Sequence, residues 1–277
     1  MAWELTGDLD AFVATSGGFL RSRPVPNTTL LTLVDSLARR GLQTYGSEKP
    51  VFGAWRDPSG VVAGALLQTP PYPMYFSALP PAAVPAAVAL LDGRPLTGVN
   101  LLADAVDAFV EPWRARTGVT AKVRMRVRQY RLETLAPPDS PGRGRPARSS
   151  DRPLLLLWLA DFLATIGEPA HDVAGTIDDK LEAGLITVWE AEGAPTSMVV
   201  RTSPETGVVR IQYVYTPPPL RGHGYAGGVT ALAAREARGA GADEVVLFTD
   251  LGNPTSNALY QRLGFRPIED RTVVAFA

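Results

Sequence analysis

The segment Arg221-Gly222-His223-Gly224-Tyr225-Ala226 has the residue types and spacing that suit the binding of an anion. Gly222 and Gly224 let backbone N–H groups turn toward one point, because glycine tolerates positive φ. The pattern that follows predicts a helix running to about Arg238, and a helix N-terminus adds partial positive charge. The segment therefore predicts a pyrophosphate site, with Arg221 as an additional cation.

A second pattern places a tyrosine hydroxyl group on a later helix. Asn253 suits an N-cap, Pro254 the first helical position and Gly264 the residue after the end, so a helix is predicted from Pro254 to Leu263. At about 3.6 residues per turn, one stripe of this helix carries three polar side chains: Ser256, Asn257 and Tyr260. Core packing is the alternative for Tyr260, but the neighbouring amides and the predicted anion site favour a proton-donor role.

Other nucleotide sites fit the same glycines less well. The spacing Gly222-x-Gly224-x-x-Gly227 also matches the dinucleotide fingerprint, with Asp250 as a possible ribose ligand. Against it, a proline-rich spacer separates the strand from the first glycine, and only 50 residues follow Gly227. A P-loop is excluded, because no Gly-Lys-Ser/Thr follows the glycines.

Two strands position these features. Ile211–Tyr215 is β-branched and aromatic and precedes the glycine loop, whereas Glu244–Thr249 reads as a buried strand between the two helices. The predicted order is therefore strand, proline-rich turn, anion loop, helix, strand and tyrosine-bearing helix.

These residues resemble the GCN5-related N-acetyltransferase (GNAT) superfamily. Arg221 to Ala226 fit the family's Arg/Gln-x-x-Gly-x-Gly/Ala pyrophosphate loop, and Asn253 to Tyr260, followed by Leu263-Gly264-Phe265, fit its Asn-x-x-Ala/Ser-x-x-x-Tyr helix. The resemblance covers roughly residues 145–277. It implies an α/β fold with a mixed central sheet flanked by helices.

The resemblance also implies acetyl-CoA as cosubstrate, direct attack of an amine on the thioester, and Tyr260 as the general acid that protonates the departing thiolate. The strand before the loop is expected to bulge and to bind the donor through its backbone at Val214, Tyr215 and Thr216. The remaining expected donor-binding residues are Arg221, Gly222, His223, Gly224, Tyr225, Ala226, Gly227, Asn253, Ser256 and Asn257. A metal ion is not expected.

The general base and the acceptor are less well defined by the sequence. Glu190 is the best carboxylate candidate for the base, with Asp250, His223 and water as alternatives, and His171 is expected to begin a helix. A small-molecule amine is the favoured acceptor, because a second domain beside the active one favours an enclosed pocket. The alternative functions are a non-catalytic acyl-CoA-binding or sensing protein and transfer of a longer acyl group.

Composition excludes several classes of protein. The chain has 277 residues, a net charge of −1 and no cysteine, so disulfides and thiolate metal sites are excluded and no polybasic surface suggests nucleic acid. The N-terminus lacks the pattern of a signal peptide, and the most apolar run, Pro153 to Gly167, is too short to span a membrane. We expect a cytoplasmic monomer or homodimer.

The chain divides at residues 137–152, where proline, glycine, serine and four arginines predict a solvated linker between domains at 1–136 and 153–277. Two helices followed by three strands are predicted on each side, with Trp55 matching Trp189, so two tandem GNAT-like copies are inferred. In the N-terminal copy, the third strand runs into Ser77-Ala78-Leu79-Pro80 without a glycine pair, and the helix Leu102 to Trp113 has no tyrosine. We therefore expect a degenerate N-terminal copy.

Overall fold

The computed structural model describes residues 1–168, 172–204 and 206–277, so the expected helix start at His171 lies outside the described residues. The strands are β1 Ala2–Thr6, β2 Val51–Arg56, β3 Val62–Gln68, β4 Met74–Phe76, β5 Gly98–Leu102, β6 Ala121–Leu132, β7 Arg143–Pro146, β8 Ile186–Ala191, β9 Ala194–Arg201, β10 Val208–Tyr215, β11 Glu244–Asp250 and β12 Phe265–Phe276. The helices are α1 Leu9–Ser22, α2 Thr28–Arg40, α3 Ala83–Leu90, α4 Val106–Thr117, α5 Arg152–Ile166, α6 Val173–Glu182, α7 Tyr225–Gly239 and α8 Pro254–Arg262.

The chain forms two compact units. The N-terminal unit consists of Met1–Gln129, Asp250–Gly252 and Glu269–Ala277, and the C-terminal unit of Tyr130–Thr249 and Asn253–Ile268. The last strand explains why the units differ from the contiguous division at 1–136 and 153–277. Its residues Arg271–Ala275 pair with β5, so the end of the chain completes the N-terminal unit.

Each unit repeats one order of strands. In the N-terminal unit, β1, β2, β3 and β4 are successive antiparallel neighbours, and β5 lies parallel to β4. In the C-terminal unit, β7, β8, β9 and β10 follow the same antiparallel order, and β11 lies parallel to β10. Two helices separate the first and second strands of each unit, and one helix joins its parallel pair.

The repeat extends to details of register. The second strand of each unit carries the tryptophan that the sequence analysis matched, and the pairing shifts directly after it, at Trp55/Arg56 and at Trp189/Glu190. The predicted mixed α/β fold and the predicted duplication are therefore confirmed.

Part of the predicted linker is instead a strand. Arg143–Pro146 forms β7 and pairs with β8 from Glu190 to Thr187. The Arg145 side chain is only 14% exposed and contacts Glu190 and Asp151, with both N–O distances 2.6 Å. The expectation of a solvated connector is therefore wrong for these residues, because the neighbouring strand supplies their hydrogen bonds and the two carboxylates neutralise the arginine.

The ion pair at Arg145 gives a testable pH dependence of stability. Hydrogen bonding from Arg145 lowers the pKa of Asp151 from its ordinary value, so its contribution is present above about pH 4 and is lost as pH falls through the lower folded-state pKa. We expect Asp151→Asn to reduce the free energy of unfolding by about 3 kcal/mol at neutral pH, and the deficit to shrink in acid. Urea titrations of wild type and variant at neutral and at acidic pH measure this difference. The control, Asp178→Asn, removes a more exposed pair with Arg152 and should reduce stability much less, because solvent screens that pair, and equal losses in the two variants would contradict the account.

The core of the C-terminal unit lies between its sheet and α7. Val209 and Ile211 of β10 and Val245 and Leu247 of β11 pack against the alanine-rich face of α7. On the other face, Tyr215 of β10 packs in a cluster with Trp158 of α5. The strand that precedes the glycine loop is therefore covered on both faces. Within the described ranges, no helix combines the length and apolar character needed to cross a bilayer.

Candidate functional site

Strand β10 separates from its parallel neighbour at a bulge. Its register with β11 ends at the pair Ile211 and Leu247 within the described residues, and its register with β9 shifts between Gln212 and Tyr215. Tyr213, inside the bulge, has φ of 51°, a left-handed conformation that is uncommon for a residue other than glycine. A bulge re-aims backbone groups and ends regular pairing, so an opening with turned N–H groups lies at the end of β10.

A chain of hydrogen bonds fixes the far side of this bulge. The Ser197 hydroxyl donates to the Tyr215 carbonyl at 2.8 Å, and the Thr216 hydroxyl donates to Ser197 Oγ at 2.9 Å. Arg221 Nε donates to the Thr216 carbonyl at 2.9 Å. Because the carbonyls of Tyr215 and Thr216 are thereby held in place, the backbone conformation at the end of the strand is fixed.

The glycine loop has the geometry that an anion site requires. A short 3₁₀ helix, Pro218–Leu220, leads into it, and Gly222 and Gly224 have φ of 87° and 85°. Gly224 is the N-cap of α7, and the loop is exposed. The N–H groups of Gly227 and Gly228 donate to the Gly224 carbonyl, whereas those of Tyr225 and Ala226 precede the first bond of the helix, so a pyrophosphate group fits the loop.

Two other residues expected in this loop differ in their surroundings, since His223 is exposed and Gly227 is buried. The His223 ring stacks on Tyr225 with centroids 5.5 Å apart, and His223 itself is exposed. Gly227 is buried, and a Cβ there would lie 3.1 Å from Pro138 and 3.3 Å from Leu259. Gly227 therefore permits close packing of α7, which favours a packing role over direct contact with a ligand.

The segment before β7 covers the start of α7. The Ser140 hydroxyl donates to the Gly224 carbonyl at 3.0 Å, and a Cβ at Gly228 would lie 3.0 Å from Ser140 Cβ. These residues belong to the region predicted as linker. The composition of these residues does not distinguish them from a solvated linker, because they are ordered by contacts with α7, a helix far along the chain.

Tyr260 lies in the core of the C-terminal unit, on α8. Its side chain is 7% exposed and packs edge-on against Phe265, with centroids 6.1 Å apart. Burial raises the pKa of its hydroxyl to about 12, so the group stays protonated at neutral pH. Burial alone accounts for this rise, without a contribution from a hydrogen bond or a neighbouring charge. The residue therefore both packs in the core and carries an available proton.

The amides on α8 hold the helix in position. Asn253 Oδ1 accepts from the Ser256 N–H at 3.0 Å, as expected of an N-cap, and Asn257 Nδ2 donates to the Asn253 carbonyl at 2.7 Å. The hydroxyl of buried Tyr130 donates to Asn257 Oδ1 at 2.8 Å and accepts from Gln261 Nε2 at 3.3 Å. Tyr130 thereby ties the end of β6 to the helix that carries Tyr260.

The role of Tyr130 is open to a direct test. Tyr130→Phe removes both hydrogen bonds and leaves the Asn257 oxygen without this donor, so we expect the free energy of unfolding to fall by about 1 kcal/mol. Urea denaturation measures the change. Tyr45→Phe is the control, because that ring contacts Tyr72 in the N-terminal unit. An unchanged midpoint for Tyr130→Phe would show that the contact contributes nothing to stability.

The three candidates for a general base have other partners. The Glu190 carboxylate accepts from Arg145 Nε at 2.6 Å and lies 3.9 Å from Arg143. Asp250 Oδ1 accepts from the Gly252 N–H at 2.8 Å, as in a turn, and His223 stacks on Tyr225. These contacts favour structural roles for all three. The structure describes no group of three or more His, Cys, Asp and Glu residues that could hold a metal ion.

The corresponding strand ends of the N-terminal unit are filled by protein. There, Arg271 donates to the Phe76 carbonyl at 2.5 Å and to Asn100 Oδ1 at 2.9 Å. Its guanidinium also lies 4.1 Å from the ring centroid of Tyr75. Because Phe76 ends β4 and Asn100 lies on its parallel neighbour, a buried arginine occupies the place that corresponds to the opening at β10.

Comparisons with known proteins agree with this geometry. Residues 153–265 match the sequence model of the Acetyltransferase (GNAT) family. No curated protein matches the chain. A GNAT-family acetyltransferase from Colwellia psychrerythraea has a similar structure, with a TM-score of 0.62 and 14% identity over 100% of this chain and 99% of that one.

Two further solved structures are similar. A GCN5-related N-acetyltransferase from Sphaerobacter thermophilus has a TM-score of 0.62 and 14% identity over 98% of this chain and 94% of its own. One from Kribbella flavida has a TM-score of 0.53 and 17% identity over 78% of this chain and 88% of its own. Residues 153–265 are therefore similar in sequence to the acetyltransferase (GNAT) family, and over nearly its whole length the chain shares the fold of the solved GNAT structures.

Proposed function

We propose that the C-terminal unit transfers an acetyl group from acetyl-CoA to a primary amine of a small molecule. The observation that carries this proposal is the bulge of β10 directly before an exposed, positive-φ glycine loop at the start of α7. One part suits an acyl carbonyl and the other a pyrophosphate. The family match makes acetyl-CoA the donor that these parts would hold.

The proposed donor site uses the backbone more than side chains. N–H groups at Val214 and Tyr215 would bind the thioester carbonyl, and the loop from Arg221 to Tyr225 would bind the pyrophosphate. Arg221 Nε is engaged by the Thr216 carbonyl, so the remaining guanidinium nitrogens are the ones that would contact phosphate. Asn253, Ser256 and Asn257 would line the donor's arm mainly by keeping α8 in place.

The proposed reaction needs only bound reactants and proton transfers. The uncharged amine nitrogen attacks the thioester carbon, the C–N bond forms, the C–S bond breaks, and the nitrogen loses a proton. Tyr260 gives its proton to the departing sulfur and regains one from solvent. General acid assistance of this kind contributes roughly 10²–10⁴-fold, and the bulge N–H groups stabilise the negative charge that develops on oxygen.

Removal of the amine's proton is assigned to water. Glu190 was the best candidate from sequence, but its carboxylate accepts a hydrogen bond from Arg145 Nε at 2.6 Å and lies 3.9 Å from Arg143. These contacts hold the carboxylate in β7–β8 pairing and not against a substrate amine. The proposal therefore contains no dedicated protein base.

Release of free CoA thiol tests the proposed function. The chain has no cysteine, so a thiol-reactive chromophore reports only CoA and can be present during turnover. We expect thiol release that requires the protein, acetyl-CoA and an amine together, with the acetylated amine identified by mass spectrometry. Acetyl-CoA binding without amine-dependent thiol release would instead support the alternative of an acyl-CoA-binding or sensing protein.

A further inference from the structure

A carboxylate lies beside the bulge, on the face of the sheet opposite α7. Tyr215, the residue at which the bulge ends, donates a hydrogen bond from its hydroxyl to Asp161 Oδ2 at 3.3 Å. Tyr215 is buried, whereas Asp161 is exposed on α5. The tyrosine thus holds a solvent-accessible negative charge at a defined position next to the opening.

A pair of aromatic rings joins the helix that carries this carboxylate to the bulge. Phe162 follows Asp161 on α5 and contacts Tyr213 edge-on, with ring centroids 5.6 Å apart. Both rings are half-buried, so each presents part of its surface to solvent. An apolar surface that ends in a carboxylate fits a ligand with a hydrocarbon segment and a cationic end.

The donor and the acceptor of the proposed reaction would bind on different faces of β10. The glycine loop begins α7, which packs on one face of the strand, whereas Asp161 and Phe162 belong to α5 on the other. The donor would bind at the loop that begins α7. The acceptor would therefore approach the bulge from the face covered by α5. Its reacting nitrogen must reach the bulge backbone.

The position of Asp161 separates it from that nitrogen. The carboxylate lies at the far end of the Tyr215 side chain, whereas the thioester carbonyl would lie at the backbone of the same residue. One nitrogen atom cannot contact both. Asp161 therefore suits a second charged group of the acceptor, about one tyrosine side chain away from the first.

The charges nearby agree with such a role. Burial and the Asp161 charge together raise the pKa of Tyr215 above its ordinary value, so the hydroxyl remains a hydrogen-bond donor at neutral pH. Arg221 is the opposing charge near this hydroxyl, and the donor's pyrophosphate would neutralise it. Asp161 would then be the charge that remains on the acceptor side.

We infer that the acceptor is a diamine or polyamine whose second ammonium group binds Asp161, with Tyr215 as the residue that positions the carboxylate. This inference rests on the proposed function and names the substrate class of the same site. The amine nearer the bulge is acetylated as described above, and the distal ammonium keeps its proton throughout.

A matched pair of amines tests the inference on the full chain. Cadaverine and pentylamine share a five-carbon chain and differ in the second ammonium group. We expect wild-type kcat/KM to be at least about fivefold higher for cadaverine than for pentylamine, with the difference mainly in KM. A ratio of this size corresponds to the free energy of a partly exposed ion pair. Asp161→Asn keeps an oxygen that accepts from Tyr215 and removes the charge. The ratio of kcat/KM for cadaverine to that for pentylamine should therefore fall to about one, while KM for pentylamine stays constant.

Controls separate this inference from the proposed function. Glu182→Gln removes an exposed carboxylate at the end of α6 and should leave the cadaverine preference intact. If acetyl-CoA binds but wild type shows no preference, acetylates neither amine, or keeps its preference in Asp161→Asn, the assignment of Asp161 is wrong. If acetyl-CoA does not bind, or binds without thiol release in the presence of any amine, the proposed function itself fails.

Discussion

Gly224→Asp is expected to weaken acetyl-CoA binding by about 100-fold or more. The residue is the N-cap of α7, so its new carboxylate would lie beside the bound pyrophosphate, and like charges in contact cost several kcal/mol. The added Cβ would also lie 3.3 Å from Ser140 Oγ. Aspartate adopts positive φ more readily than most residues, so the fold should persist at a φ of 85°. Isothermal titration calorimetry measures the loss.

The matched control for this variant lies at the other end of the same helix. Gly241 follows the end of α7, has φ of 89° and has no neighbour within 4 Å of an added Cβ. Gly241→Asp introduces the same charge and the same backbone strain far from the loop. We expect it to bind acetyl-CoA as wild type does. Equal affinity in Gly224→Asp and Gly241→Asp would place the donor elsewhere.

Tyr260→Phe is expected to lower kcat by at least about tenfold while leaving the dissociation constant of acetyl-CoA nearly unchanged. The variant keeps the ring that packs against Phe265 and removes only the hydroxyl. Loss of a general acid reduces the rate of thiolate departure and not donor affinity. Steady-state kinetics together with calorimetry separate the two effects.

The pH dependence of wild type provides a second test of Tyr260. Its pKa is raised to about 12 by burial, so the proton is present throughout the neutral range and is lost only in strong alkali. We therefore expect no decline of kcat from Tyr260 ionisation between about pH 7 and 10, since the ordinary tyrosine pKa is near 10. If Tyr260→Phe retains the kcat of wild type, Tyr260 serves in packing alone. Tyr45→Phe is the control for the loss of a hydroxyl group as such.

Most elements of the fold could be predicted because local signals mark their ends. Asn253, Pro254 and Gly264 bound α8 almost as expected, and the β-branched runs of β8 to β11 lie where they were predicted. Strand β7 was missed, because Arg143-Gly144-Arg145-Pro146 has no strand-forming residues and is ordered by pairing with β8. Strand β5, Gly98–Leu102, was not predicted, and the helix expected from Leu102 begins only at Val106.

The candidate site was predictable where one short segment carries it. The glycine loop and α8 are local patterns, so their residues could be named from sequence. Tyr130 could not, because its partner Asn257 is 127 positions away and only the tertiary fold brings the two together. Asp161 was visible only as a charge that interrupts an apolar run, and its link to the bulge through Tyr215 required coordinates.

The number of acetyl-CoA molecules that bind to each chain tests the central claim most directly. Calorimetry with wild-type protein should give one site per chain with a dissociation constant in the micromolar range, because the glycine loop occurs only in the C-terminal unit and Arg271 fills the corresponding strand ends of the N-terminal unit. Two sites would show that the N-terminal unit also binds the donor. No binding would contradict the assignment of an acetyl-CoA site to this chain.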